Sequence, residues 1–324
     1  MKSLFTLFIL LITNAFTVFR VDPSEKKGFC SLYFFYIPKT LQPNATLLVI
    51  PNNTGFCQDD SQVHIQSAKR TLQKYRSLAD SLQVILLCPA FPRPKSSSNV
   101  YTHALARAVF TVEEKALQRL DLQLIAMIED LEARLKARKI SIDKKVLLLG
   151  FSASGMFVNR FVFLHPDWVK GAVIGSPGGW PLMPLATYKN EKLTYPVGVF
   201  DMKLLTGTEF LIKKVQEVPL FFFLGSQDRN DSVTFSDSYT LEQRKQIFYL
   251  FGKTPQERWF QSQLLCQQLL PLANFRLYDG IGHEISDQMK KDIEFFFCSL
   301  LAEKPFFSYS KFSNLLKSKK LRKK

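Results

Sequence analysis

The apolar run Val146-Leu147-Leu148-Leu149 stops at Gly150, and two residues later Ser152 stands beside the small residues Ala153, Ser154 and Gly155. A short, unbroken apolar run bounded by glycine reads as a strand buried on both faces. The stretch that follows, from Gly155 to Leu164, reads as a helix. The chain therefore passes from strand to helix within a few residues, and Ser152 falls on that turn. So tight a turn forces its central residue into a strained backbone conformation, for which only small neighbours leave room. The pattern is G-x-S-x-S-G, with Ser154 where a second glycine is usual.

Two later apolar runs end in a comparable way. Val218-Pro219-Leu220-Phe221-Phe222-Phe223-Leu224 leads into Gly225-Ser226-Gln227-Asp228, and 274–279 leads into Gly280-Ile281-Gly282-His283-Glu284. Each polar residue lies just past the carboxyl end of a predicted strand, the edge at which open parallel sheets assemble their sites. With serine, aspartate and histidine in that chain order, residues 30–303 resemble the α/β-hydrolase superfamily. The segments Ile50-Pro51-Asn52-Asn53-Thr54-Gly55 and Ser176-Pro177-Gly178-Gly179-Trp180-Pro181 are similar to those of secreted esterases of the polyester depolymerase and feruloyl esterase branch. The resemblance implies an α/β fold, a mostly parallel doubly wound sheet, with a small cap insertion at about 178–216.

The rest of the chain fits that architecture. Strands are expected at 30–37, 45–50, 84–88 and 169–175, with a helix at 62–81. Between about 112 and 139 the apolar residues Leu117, Leu120, Leu124, Met127, Ile128, Leu131 and Leu135 recur every three or four positions, which predicts a long amphipathic helix on the sheet. The expected cap carries Tyr188, Tyr195, Phe200 and Phe210, which either line an acyl or aryl pocket or simply pack.

A serine hydroxyl is a weak nucleophile at neutral pH and needs a base to take its proton as it attacks. Ser152 is the expected nucleophile, with Ser154 as its competitor, and His283 is the expected base. An imidazole in that role needs an acceptor that holds one tautomer and offsets the charge it gains. Asp228 suits this task, and Asp231 is the alternative carboxylate. The negative charge that develops on an attacked carbonyl oxygen calls for backbone N–H donors. Ala153, which follows the nucleophile, and Asn53 are expected to supply them, with Asn52 as the neighbouring choice. The other histidines, His64, His103 and His165, read as surface or capping residues. The chemistry needs no cofactor and no metal.

At 324 residues and 46% hydrophobic content, with no linker or repeat, the chain is expected to form one catalytic domain. Residues 1–15 hold Lys2, an apolar run from Leu4 to Ile12 and the small residues Thr13-Asn14-Ala15. This reads as a secretory signal, with an uncleaved anchor as the alternative, and so as a secreted or periplasmic protein. If the chain is exported, Cys30 and Cys57 are the cysteines placed to pair, whereas Cys88, Cys266 and Cys298 are expected to be buried thiols. The net charge is +15, and eight basic residues with no acid follow Glu303. The tail 304–324, with Tyr309, Phe312 and Leu316 as an apolar stripe, suits an anionic membrane or a polyanion, or is solvated. Nothing points to nucleic acid. The expected function is cleavage of a small-molecule or polymer-linked carboxylic ester; an acyltransferase with the same triad, or a binding protein on a hydrolase fold, are the alternatives.

Overall fold

The computed structural model describes residues 18–303, so the expected leader at 1–15 and the basic tail at 304–324 lie outside the described residues. In chain order these residues form β1 (Val18–Val21), β2 (Tyr33–Tyr36), β3 (Leu47–Val49), α1 (Ser61–Leu82), β4 (Ile85–Pro89), α2 (Leu120–Ala137), β5 (Val146–Phe151), α3 (Ala153–Leu164) and β6 (Val169–Gly175). There follow β7 (Thr187–Tyr188), β8 (Glu191–Lys192), α4 (Met202–Thr206), α5 (Ile212–Gln216), β9 (Leu220–Gly225), α6 (Leu241–Phe251), α7 (Pro255–Leu269), β10 (Ala273–Tyr278) and α8 (Asp287–Leu301).

Eight strands join in the order β1-β2-β4-β3-β5-β6-β9-β10. β2 runs antiparallel to β1 and β4, and the other pairs are parallel. Alternate side chains of one strand point to opposite faces. On β5, Val146 and Leu148 pack with α2 and α3, whereas Leu147 and Leu149 pack with α1 and α8. β9 divides likewise, Leu220, Phe222 and Leu224 against Phe221 and Phe223. Both faces are thus covered by helices, which is why these strands are apolar throughout. The helices start where a side chain satisfies their free amides: Asp60 caps α1, and Thr240 and Thr254 form capping boxes with Gln243 and Glu257. No helix among the described residues is long and apolar enough to cross a membrane.

The helix expected from 112 begins only at Leu120. Arg119 sits in the left-handed region at φ 45°, and its guanidinium folds onto the Asp121 carboxylate through two bonds of 3.0 and 2.8 Å. Leu117 is buried all the same. β1 was not among the expected strands. All five cysteines are free thiols; Cys88 and Cys266 are buried, but Cys298 is exposed, correcting the expectation for it. It follows Phe297 on α8, whose ring points into the core.

The segment between β6 and β9 turns most of its aromatic rings inward. Trp180 is fully buried, stacks on Phe251 of α6 at 3.9 Å and donates from Nε1 to the Val197 carbonyl at 3.0 Å. Tyr195 donates to the Leu105 carbonyl at 2.6 Å, Tyr188 packs on Phe251 and Phe210 stacks on Phe163, whereas Phe200 is exposed. Removing the Trp180 ring leaves a cavity that so well-packed a site cannot refill. Trp180→Ala is expected to lower the unfolding free energy by about 3–5 kcal/mol in urea denaturation, and Trp180→Phe by clearly less.

Candidate active site

β5 ends at Phe151 and α3 begins at Ala153, and Ser152 between them has φ 62° and ψ −126°. A non-glycine residue in this region carries about 1–3 kcal/mol of strain and persists only where its surroundings hold it. The Ser152 N–H donates to the Gly175 carbonyl of β6 at 2.9 Å, and its own carbonyl accepts from Met156 N–H at 3.1 Å. A Cβ on Gly150 would stand 2.1 Å from the Ser154 carbonyl oxygen, and one on Gly155 would stand 2.7 Å from the Gly175 oxygen. Gly155 is therefore the residue that meets the neighbouring strand, which explains why position 154 can be serine. The Ser154 hydroxyl folds back onto Phe151, accepting from its N–H at 3.0 Å and donating to its carbonyl at 2.9 Å. It is committed to the turn, while Ser152 remains partly exposed.

Asp228 lies in the turn after β9 and is 1% exposed. Its Oδ1 accepts from Asn230 N–H at 2.9 Å, and its Oδ2 lies 2.9 Å from His283 Nδ1. A carboxylate only accepts, so the imidazole proton is assigned to Nδ1 and Nε2 is left as the acceptor. Asp231 faces elsewhere, pairing with Arg258 at 2.6 Å and capping the turn Ser232–Thr234 through Val233 N–H at 3.0 Å. The histidine loop rests on the aspartate loop: Gln227 N–H donates to the Ile281 carbonyl at 2.9 Å, and Gly280 N–H donates to Ser226 Oγ at 2.9 Å. A Cβ on Gly225 would stand 2.2 Å from the Ile281 oxygen, so glycine is needed for this approach. Gln256 of α7 anchors the aspartate turn, donating to the Asp228 carbonyl at 2.6 Å. The His283 ring lies against the Phe151 ring at 4.8 Å, and Phe151 is the chain neighbour of Ser152. Among the described residues no hydrogen bond joins the Ser152 hydroxyl to His283; in unliganded sites such bonds are often long and tighten with substrate.

The candidate N–H donors come from two segments, the start of α3 and the loop after β3. Ala153 is the first residue of α3, where amides have no partner within the helix. The Asn53 carbonyl accepts from Ser67 Oγ at 3.1 Å and its side chain accepts from Gly55 N–H at 3.0 Å, whereas no hydrogen bond is described for its own N–H. Asn52 is buried and its side-chain amide bonds both ways to the Phe91 backbone at 3.0 and 2.9 Å, which ties the loop down without using its backbone N–H. A cavity of about 150 Å³ lies beside Asn53, Phe151 and Ser154, closed on the α1 side by Lys74 and Tyr75. Among the described residues no cluster of histidine, cysteine or carboxylate side chains could hold a metal ion.

No protein-family model matches the chain, and no curated protein matches it. Its structure is similar to that of poly(aspartic acid) hydrolase-1 from Sphingomonas sp. KT-1, at 19% identity and a TM-score of 0.56, covering 86% of this chain and 97% of that one. It is also similar to LpqC, a poly(3-hydroxybutyrate) depolymerase from Bordetella parapertussis, at 16% identity and a TM-score of 0.53, covering 93% of each chain. The fold is that of the α/β-hydrolases.

Within this α/β-hydrolase fold, His165 caps the end of α3 as expected, but two of the minor histidines differ from expectation. His64 and His103 are buried, against the surface or capping role expected of them, and both face the loop after β3. His165 is largely covered and lies 2.8 Å from the buried Asp121 carboxylate. The only signal available for His103 was its setting among small and apolar residues, Ala104, Leu105 and Ala106. Burial drives the His103 imidazole down to about 3 from its ordinary 6.5, with the neighbouring His64 and Arg93 adding to the effect and the bond to the Phe91 carbonyl opposing it. The folded protein thus keeps His103 neutral while the unfolded chain protonates it. Its contribution to stability is complete above pH 6.5 and is lost as the pH falls from there toward 3. Relative to His103→Gln, the wild-type protein is expected to lose about 1.4 kcal/mol of unfolding free energy per pH unit below that value. Urea titrations of both proteins between about pH 7 and 5 measure this, and parallel profiles would contradict it.

Proposed function

We propose that the protein is an exported serine hydrolase that cleaves a carboxylic ester through an acyl-enzyme. The observation that carries this reading is the strained backbone of Ser152 next to an imidazole whose Nδ1 is held 2.9 Å from a buried carboxylate. Substrate binds with its carbonyl carbon over Ser152. His283 Nε2 takes the hydroxyl proton as Oγ attacks, and Asp228 holds the ring in the required tautomer and offsets its charge. The oxygen that gains negative charge is stabilised by the Ala153 and Asn53 N–H groups, each donor supplying roughly 3–4 kcal/mol by analogy with mutant enzymes. His283 then returns the proton to the departing alcohol. Water enters by the same route in reverse, with His283 as base, and releases the acid and the free serine.

Ser152 is the nucleophile in this reading because Ser154 spends its hydroxyl on the Phe151 backbone, and Asp228 is the acid because Asp231 is spent on Arg258. Both similar hydrolases are named for polymers. A polymer-linked ester is therefore the substrate class favoured for this chain. Export, expected from the apolar leader, suits a substrate too large to enter a cell.

A fluorophosphonate probe is expected to label the full-length protein, Ser154→Ala to retain labelling and Ser152→Ala to abolish it. On an activated aryl ester, Asp228→Asn should lower kcat by about 10³–10⁴, and Asp231→Asn by far less. Equal labelling of Ser152→Ala, or equal losses at the two aspartates, would remove these assignments.

A further inference from the structure

The loop leaving β3 is short and polar, and within it only the Asn53 side chain on Gly55 N–H and the Thr54 hydroxyl on the Phe56 carbonyl fix its shape locally. The remaining hold comes from the loop's own Asn52 and from two histidines of other segments. Asn52 is pinned to Phe91 as described. His103 belongs to the turn Thr102–Ala104, and its Nε2 lies 2.9 Å from the same Phe91 carbonyl. A carbonyl only accepts, so that nitrogen carries the proton and Nδ1 is left as an acceptor. It faces Thr54, at 3.5 Å from the N–H and 3.4 Å from Oγ1. His64 of α1 repeats the arrangement from the other side, with Nε2 2.8 Å from the Gln58 carbonyl and Nδ1 3.3 Å from Thr54 Oγ1. Arg93 N–H stands farther from that Nε2, at 3.3 Å, so the carbonyl decides the tautomer. The two rings meet edge to face at 5.6 Å.

Thr54 therefore stands between two buried imidazoles: its N–H faces the acceptor of His103, and its single hydroxyl proton has His64 Nδ1, His103 Nδ1 and, at 3.1 Å, the Phe56 carbonyl within reach. Protonating the His103 ring would replace an acceptor with a donor against Thr54. The burial that keeps His103 neutral also keeps this acceptor in place. The residue before Thr54 is Asn53, whose N–H is the loop's candidate donor to the reacting oxygen.

We propose that His64, His103 and Thr54 are positioning residues that lock the loop after β3 and so hold the Asn53 backbone N–H as a preorganised donor beside Ser152. This role in catalysis rests on the ester-hydrolase reading above; the locking itself does not. A donor that acts on charge present only in the transition state affects kcat far more than KM when it is displaced.

Thr54→Val keeps the shape and removes the hydroxyl, and Thr54→Ser restores it. For Thr54→Val, kcat on an activated aryl ester is expected to fall about tenfold to a hundredfold with KM changed less than about threefold, and Thr54→Ser to stay within about threefold of wild type. Amide hydrogen exchange at 53–55 is expected to accelerate at least about tenfold in Thr54→Val and in His103→Asn. Unchanged kcat in Thr54→Val, a loss confined to KM, or an equal loss in Thr54→Ser would overturn the catalytic role. If the wild-type protein neither hydrolyses esters nor takes a fluorophosphonate, the ester-hydrolase reading fails, and with it the catalytic role. The lock is then decided by exchange alone: acceleration supports it and unchanged exchange ends it.

Discussion

The left-handed backbone of Ser152 is a cost that the rest of the sheet must meet, and much of the local sequence serves that end. β5 delivers the chain to the turn as a strand buried on both faces, so it cannot shift without exposing Leu147 or Leu148. β6 accepts the Ser152 N–H, and Gly155 lets α3 approach β6 closely enough for this bond to form. Ser154 then closes the turn on Phe151 from within. Each of these contacts is weak alone, at about 1 kcal/mol net for a typical hydrogen bond. Together they match the strain, and the hydroxyl at the apex is left without a structural duty.

Around that apex, the loops after β9 and β10 are fixed to each other, and the loop after β3 is fixed to the segment after β4. The aspartate and histidine loops share backbone bonds across a gap that admits only glycine at 225. The loop after β3 is tied to the segment after β4 through Asn52 on Phe91 and Thr54 on His103. Polar side chains that are buried and paired in this way are strongly directional, because an unmet donor or acceptor in a dry interior is costly. Rigidity at the sheet edge therefore comes from buried polar contacts, while the layers beneath are held by apolar packing.

How much of this was legible in the chain depended on the range of the interaction. The strand-turn-helix at Ser152 was plain, because an apolar run, a glycine and small neighbours all lie within ten residues. Asp228 and His283 were legible as candidates for the same reason: each follows a strand and a glycine. The choice between Asp228 and Asp231 was not, since it turns on Arg258 of α7 and on the place where the histidine loop comes to rest. His64 and His103 read as surface residues because nothing local reveals that two loops close over them. The aromatic residues after β6 were ambiguous until Phe251 of α6 supplied the surface on which Trp180 and Tyr188 stack.

A covalent intermediate is the most direct evidence on whether this strained turn is a nucleophile. Mixing the full-length protein with an activated acyl ester, quenching in acid within the first turnover and mapping the peptides by mass would locate any acyl group. The expected result is a single acyl addition on the peptide carrying Ser152, absent when that residue is alanine. An acyl group on Ser154 or elsewhere, or turnover with no acyl-protein at any time point, would contradict it.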